Sequence, residues 1–512
     1  MNRCPTSRQV ALASLLLITC AAAVARAPAS MPAPALTSPS PPSSPASAII
    51  ARALSPSPLA ADLERLTDGI GGRVSGTPAM ERAVDWALAA FESAGVAAHA
   101  ETYTLSLTWS EGSTRLEVLG PQAFPVTVVA EGWSAATPPG GIEAPLLAIG
   151  GGTEADFARL GSRARGAILL VDSPVVETWA DLTNEYDRAL PIKQRAVQAG
   201  AAAMLWTGAR ARRLLYRHTD TVTGELSAIP MATLAREDGQ RLARLAAMQP
   251  ALRVRLDMPN RVGPPAPERN VVAEIRGRER PDEVVVLGAH LDSWDLGTGA
   301  LDNGCNSALV IAAARAIHES GLAPRRTIRF VLFSGEEQGY QGSHAYVLAH
   351  RAEMDRTRAA LIIDSGVGRI KGFSIAGRDD AVPALEVALR PLQPFDAQHL
   401  SLDGELGTDN FDFLLEGVPT LVADQEPANY LENYHAASDT FDKVDLRQLA
   451  QHVAIMASAA FAIADHPAPI APRLSREQIE AQLRRTGLDS EMKISGYWPD
   501  WVAGRRGRAM TR

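Results

Sequence analysis

A chain of 512 residues that is 46% hydrophobic and 21% charged has the composition of a folded protein with a large core, which excludes disorder as its main state. Its length exceeds what one core usually holds, so two globular units with linkers are expected. The formal net charge of −8 provides no basic footprint for phosphate backbones, and nucleic acid is excluded as the expected partner.

Arg3 and Arg8 precede an apolar run from Val10 to Val24, and Ala23, Ala25 and Ala27 supply small residues where a signal peptidase would cut. Residues 1–27 read as a secretory signal peptide, too short for a comfortable membrane span, followed by a Pro/Ala/Ser-rich linker over 28–47. The expectation is an exported product, periplasmic or secreted, with no integral membrane span. Lipidation at Cys20 is the second reading, because Thr19 stands where lipoprotein signals usually carry a smaller residue. With Cys4 and Cys20 in the signal, the mature chain keeps Cys305 and forms no internal disulfide.

Apolar residues recur at helical spacing over Leu59 to Leu66 and Ala79 to Ala94, separated by the turn formers Gly71-Gly72-Arg73 and Ser75-Gly76-Thr77. Tyr103 to Leu107 and Thr114 to Val118 alternate like the strands of a hairpin around Glu111-Gly112. These elements form residues 48–123, read as the N-terminal part of a catalytic domain. Short strands and glycine-rich turns then fill 124–262, with a strand at Ala167 to Val171, a helix at Ile192 to Ala199 and a strand at Ala203 to Trp206. That region is expected to be an inserted, mostly β module.

Residues 263–466 alternate apolar strands with amphipathic helices, the pattern of an α/β domain with a mixed, largely parallel sheet and helices on both faces, an αβα sandwich of three layers. The strands are Val284 to Leu287, Thr327 to Phe333, Ala359 to Ile363 and Thr420 to Ala423; an apolar helix, Ser307 to Ile317, stops at Gly321. The C-terminal extension, 467–512, ends in a basic cluster of Arg505, Arg506, Arg508 and Arg512, for which a solvated, partly disordered tail is expected.

In an open α/β sheet, ligands gather just beyond the carboxyl ends of the strands. His290 and Asp292 follow one strand, Glu336 and Glu337 the next, Asp364 ends a third, and His435 lies in a later loop. Each alone would be a cap or an ion-pair partner. Together they supply two imidazoles and several carboxylates, a mixed donor set suited to zinc and to a shared two-metal site. Asp302 can offer one oxygen to each of two ions about 3.5 to 4 Å apart, and it stands too far before the helix at Ser307 to be its cap. Asp292 is either a ligand or, by preference, the carboxylate that orients the ring of His290. Of the adjacent acids Glu336 and Glu337, one should ligate metal and the other carry protons. Asp295 has no assigned role.

The segments GAHLDSW, GALDNG, FSGEEQGYQGS, LIIDSG and YHAASDTFDKV resemble, in order, the metal-binding segments of the co-catalytic two-zinc aminopeptidases, peptidase family M28. LTDGIGGRVSGTPAMERAVDWAL with Trp109 is similar to the N-terminal part of the carboxypeptidase Q branch. The resemblance implies two zinc ions, one held by His290, Asp302 and Asp364, the other by Asp302, Glu337 and His435, with Glu336 as general base. It also implies a cis peptide at Asp302-Asn303. Tyr434 matches a tyrosine that polarises the scissile carbonyl in some members, with packing as the other reading. RGAILLVD and KQRAVQAGAAAMLW in the inserted region resemble the protease-associated domain. The implied activity is hydrolysis of terminal bonds in short peptides, with amino- or carboxy-terminal polarity open and a homodimer allowed. The alternatives on this fold are a glutaminyl cyclase-type acyltransferase with a single zinc and a non-catalytic, receptor-like homologue.

Overall fold

The strand Arg280–His290 buries Val284 and Val286 on one face and Val285, Leu287 and Ala289 on the other. Because successive side chains of a strand point to opposite faces, a run that is apolar at every position must be covered on both sides. In the computed structural model, helices Cys305–Glu319 and Leu446–Asp465 pack on the Val285 face. Tyr346, Val347 and Phe413, from helices Gln341–Ala349 and Phe411–Leu415, pack on the Val284 face. The three-layer arrangement expected from the alternation of strands and helices is the one found.

The structure describes residues 44–121, 123–218 and 223–509, all within one unit, Pro42–Arg512. The segment read as a signal peptide, Cys20, the first part of the segment read as a linker and Arg512 lie outside the described residues. Helix Pro45–Ala53, capped by Ser44, begins inside the segment read as linker. Among the described residues, no helix is long and apolar enough to cross a membrane.

The main sheet runs Ala98–Leu105, Ala266–Ile275, Arg326–Phe333, Arg280–His290, Thr357–Ile362, Thr420–Gln425, Ile370–Ser374, His399–Ser401. The four middle strands, from Arg326–Phe333 to Thr420–Gln425, are mutually parallel. Their carboxyl ends therefore share one rim, and the loops leaving His290, Phe333, Ile362 and Gln425 all start there. The flanking strands Ala98–Leu105 and Ala266–Ile275 pair antiparallel.

A second eight-stranded sheet joins Phe124–Val126, Arg115–Val118, Arg253–Asp257, Ile142–Ala148, Ile168–Val171, Ala203–Thr207, Met231–Leu234 and Val128–Ala130. It has apolar clusters of its own, and Trp109, Trp133 and Trp294 pack together in one of them. Trp294 comes shortly after the rim residue His290, so this second core reaches the loop beyond the central strand. Helices Glu154–Leu160, Trp179–Gln198 and Arg236–Met248 accompany the sheet.

Three sequence expectations are corrected. The hairpin around Glu111-Gly112 does not form: Ala98–Leu105 pairs with Ala266–Ile275 in the main sheet, and Arg115–Val118 pairs with Arg253–Asp257 in the second. Alternation marks a strand but not its partner, and here the chain passes from one sheet to the other. The helix read from Ile192 starts at Trp179, where Thr178 accepts the backbone N–H of Asp181 and Asp181 accepts that of Thr178, a capping box. Pro191 reads as a start, yet it lies inside the helix.

The basic tail is the third. Arg506 is buried: its Nε and Nη2 donate to the two carboxylate oxygens of Asp412 at 2.8 and 2.6 Å, and its guanidinium stands over Phe411 and Tyr497. Ile479, Leu483, Leu488, Met492 and Trp501 form an apolar seam against Phe411, Leu414 and Leu415. A run of arginines reads as solvated; an apolar seam and a buried partner acid hold this one in place. Arg505 stays exposed.

Candidate metal centre

The strand Arg280–His290 delivers His290 to the rim, and the Ser307 hydroxyl donates to its carbonyl oxygen at 2.6 Å. The chain turns at Gly299, whose φ of +60° and whose closeness to Ser293, 2.3 Å from where a Cβ would sit, leave room for no side chain. Asp302 comes next, with a cis peptide bond to Asn303, before helix Cys305–Glu319. Asn303 Nδ2 donates to the Ile363 carbonyl at 3.2 Å, fastening this turn to the strand that ends beside Asp364. Glu336 and Glu337 follow Arg326–Phe333 through the Gly335 turn, φ +69°. His435 comes after the short helix Tyr430–Asn433, itself in the left-handed region at φ +56°.

These elements bring the five predicted ligand residues into two overlapping triads, His290, Asp302, Asp364 and Asp302, Glu337, His435, the donor atoms of each within 4.8 Å of one another. His290 Nε2 lies 2.9 Å from Asp364 Oδ1 and 3.2 Å from Asp302 Oδ1. His435 Nε2 lies 3.2 Å from Asp302 Oδ2 and 3.0 Å from Glu337 Oε2. Asp302 thus turns one oxygen to each imidazole. A recess of about 180 Å³ opens beside it, lined by Trp294, Asp302, Glu337, His435 and Asp439.

Around the triads the other predicted residues take distinct places. His290 Nδ1 lies 3.0 Å from the Asp292 carbonyl oxygen, which can only accept, so the ring proton sits on Nδ1 and Nε2 is free to ligate. The Asp292 carboxylate, 3.6 Å from that nitrogen, accepts the backbone N–H groups of Glu336 and Glu337, both at 3.3 Å. Glu336 belongs to neither triad. The Tyr434 ring stacks on His435 at 3.8 Å, and its hydroxyl meets that of Tyr186 at 2.8 Å. Asp295 pairs at 3.3 Å with the buried Arg217.

The electrostatics are those of crowded acids. Burial pushes Glu336 well above the usual carboxyl range, Glu337 up to about 7 and Asp364 upward. Burial would also raise Asp302, but hydrogen bonds from His290 and His435 hold it well below. Burial opposes protonation of the two imidazoles, yet Asp364 and Glu336 hold His290 well above its ordinary value and Glu337 pushes His435 up to about 10.

Several residues escaped the sequence reading. Asp409, buried and pushed up to about 8 by that burial, feels the charges of His290, Asp364 and Asp292; its signal was the GTDNFD run. Arg73, fully buried, donates to the carbonyls of Leu291, Thr298, Gly299 and Gly71 and so clamps the loop between His290 and Asp302. Asp439 accepts from the backbone of Leu301 and Asp302. His218, from the second-sheet region, lies with Nδ1 3.2 Å from His435 Nδ1, and burial holds its pKa down to about 4. Arg73 and Asp439 lie inside segments that carry the family resemblance, though neither had a role assigned there, and nothing local marks His218.

A mixed sheet whose parallel rim gathers two imidazoles and several carboxylates could hold metal ions, and the chain is similar to known proteins. The family model for peptidase family M28 matches residues 270–460. Carboxypeptidase Q of Mus musculus is 30% identical over 403 residues, 78% of this chain and 84% of the relative. A peptidase M28 precursor from Shewanella amazonensis superposes with a TM-score of 0.76 at 28% identity, covering 84% of this chain and 98% of that one. A zinc aminopeptidase from Bacillus subtilis shares the fold with a TM-score of 0.63 at 20% identity, covering 82% and 97%. The chain belongs to peptidase family M28 and is a metallo-exopeptidase.

Proposed function

We propose that this exopeptidase hydrolyses terminal peptide bonds of short peptides, dipeptides among them. Two zinc ions would be held by His290, Asp302 and Asp364 on one side and Asp302, Glu337 and His435 on the other. The observation that carries the reading is Asp302, with one carboxylate oxygen 3.2 Å from each imidazole. The donor set fits the metal: imidazole nitrogen and carboxylate oxygen suit zinc. Six carboxyls, those of Asp292, Asp302, Glu336, Glu337, Asp364 and Asp409, crowd round the two imidazoles, and two divalent cations would offset much of the repulsion among them.

Bound zinc would supply Lewis acidity, which makes water a nucleophile near neutral pH and polarises a carbonyl. Glu336, outside both triads and raised by burial, is suited to take the proton of the attacking water and hand it to the leaving amine. Asp292 serves as the orienting group: its carbonyl fixes the tautomer of His290, and its carboxylate holds the backbone of Glu336 and Glu337. Tyr434 would reach a scissile carbonyl only by giving up its bond to Tyr186, so its part is to support the ring of His435.

Elemental analysis of the purified protein should find two equivalents of zinc; a single equivalent would favour the cyclase-type acyltransferase. Cleavage of free and end-blocked dipeptides reads the polarity. Loss only on blocking the amine means aminopeptidase, loss only on blocking the carboxylate means carboxypeptidase, and no cleavage of any short peptide overturns the substrate class.

A further inference from the structure

His435 Nε2 faces Asp302 and Glu337, so its Nδ1 is left to point away from the triads. An imidazole that ligates through Nε2 carries its proton on Nδ1, and that N–H needs an acceptor when it is buried. What it meets is not a carboxylate or a carbonyl of the same domain but another imidazole, His218 Nδ1, at 3.2 Å. To accept there, His218 must carry its own proton on Nε2. That nitrogen is buried without a well-aligned hydrogen bond, and the carboxylate oxygen facing it, at 3.1 Å, is Glu185 Oε2.

We propose that Glu185 and His218 are positioning residues for His435. The Glu185 carboxylate fixes the proton of His218 on Nε2, and His218 Nδ1 in turn accepts the Nδ1 proton of His435 and aims its Nε2 at the triad. The inference rests on the reading of His435 as a metal ligand.

Other contacts agree with this order. Glu185 sits on helix Trp179–Gln198, where the Tyr216 hydroxyl donates to its other oxygen at 2.8 Å and Arg210 approaches at 3.4 Å. Glu185 is buried, yet the charge of Arg210 and the hydrogen bond from the Tyr216 hydroxyl favour its ionised form, which can only accept. The Tyr186 hydroxyl, bonded to Tyr434, reaches the same His218 Nδ1 at 3.1 Å and flanks the contact without replacing the carboxylate at the far nitrogen. The rings of His218 and His435 meet edge to face, 5.2 Å between centroids and 67° between planes. The helix that carries Glu185 and the loop that carries His218 belong to the second-sheet region, which would thereby help build the metal site instead of merely covering it.

The test is zinc affinity, read by competition with a chromogenic chelator for wild type, Glu185→Gln, His218→Ala and His435→Ala. Gln has the shape of Glu, so Glu185→Gln needs no repacking and decides the matter if His218→Ala does not fold. The expected result is that Glu185→Gln and His218→Ala loosen one of two equivalents by about 10–100-fold and leave the other alone. His435→Ala should lose that same equivalent, and the undisturbed second equivalent of Glu185→Gln reports that its fold is intact. Wild-type affinity at both equivalents in folded Glu185→Gln, with one equivalent lost in His435→Ala, overturns the proposal. Two intact equivalents in His435→Ala would instead overturn the assignment of His435, and the relay with it.

Discussion

Asp439 holds the turn that presents Asp302: its Oδ1 accepts the backbone N–H of Leu301 at 2.6 Å and its Oδ2 that of Asp302 at 3.1 Å. The acceptor is set 137 residues away in sequence, in the segment that also carries His435, so one loop supplies a donor to one triad and the support of the residue common to both. Asp439→Asn puts an N–H group where an acceptor stood. Because Asp302 serves both triads, this variant should weaken both zinc equivalents by about 10–100-fold, in contrast to the single equivalent that Glu185→Gln disturbs. Chelator competition separates the patterns, and unchanged affinity at both would mean the turn holds without Asp439.

Glu336 and Glu337 are neighbours with different surroundings, one outside the triads and one 3.0 Å from His435. Glu336→Gln should therefore keep two equivalents of zinc and lose about 10²–10⁴-fold in kcat, the range of a positioned proton carrier. Glu337→Gln should lose one equivalent. Elemental analysis beside kcat on one dipeptide reads both, and full activity of Glu336→Gln would remove it from the chemistry.

Arg73 satisfies four carbonyls at 2.7 to 3.1 Å, three of them in or beside the loop from His290 to Asp302. Burial lowers its guanidinium to about 10, so it stays charged at neutral pH. Arg73→Met fills the volume but leaves those buried acceptors bare. A destabilisation of about 2–4 kcal/mol is expected, since each unsatisfied buried group costs about 1–3 kcal/mol and some relaxation follows. Urea unfolding of the metal-free protein measures it; a change below about 0.5 kcal/mol, the scale of a neutral surface substitution, would refute the clamp.

What was legible in the sequence is what local pattern can express. Val284 to Leu287 and Thr327 to Phe333 are apolar at nearly every position, which demands burial on both faces, and the acids and histidines directly after them must then stand at the rim of a parallel sheet. The partners that orient those ligands were not legible. His218 and His435 are 217 residues apart, and neither segment carries a periodicity that points to the other. Arg73 sits in a glycine-rich turn that reads as a loop, and its role depends on carbonyls more than 200 residues away. The same holds for strand pairing: Tyr103 to Leu107 alternates correctly, yet it is the main sheet that takes it, through contacts no alternation records.

The buried pair of Asp412 and Arg506 gives the C-terminal extension a pH-dependent hold. Burial would raise the Asp412 carboxyl, but Arg506 and His344 outweigh it and keep it well below the usual carboxylate range. A carboxyl whose folded pKa lies under its unfolded value, about 3.9, stabilises the fold at higher pH and gives that stability up as pH falls toward the folded pKa. Asp412→Asn leaves Arg506 buried against a neutral amide, so at pH 7 it should cost about 3–5 kcal/mol. At pH 3, below the unfolded pKa, the unfolded wild-type chain takes up a proton that the folded pair does not, so the gap between the two should narrow. Asp412→Leu combined with Arg506→Met removes both charges and should recover much of the loss at pH 7. Urea unfolding of the metal-free proteins at the two pH values reads all three; a gap as large at pH 3 as at pH 7 would show that the ionised Asp412 carboxylate is not what holds Arg506.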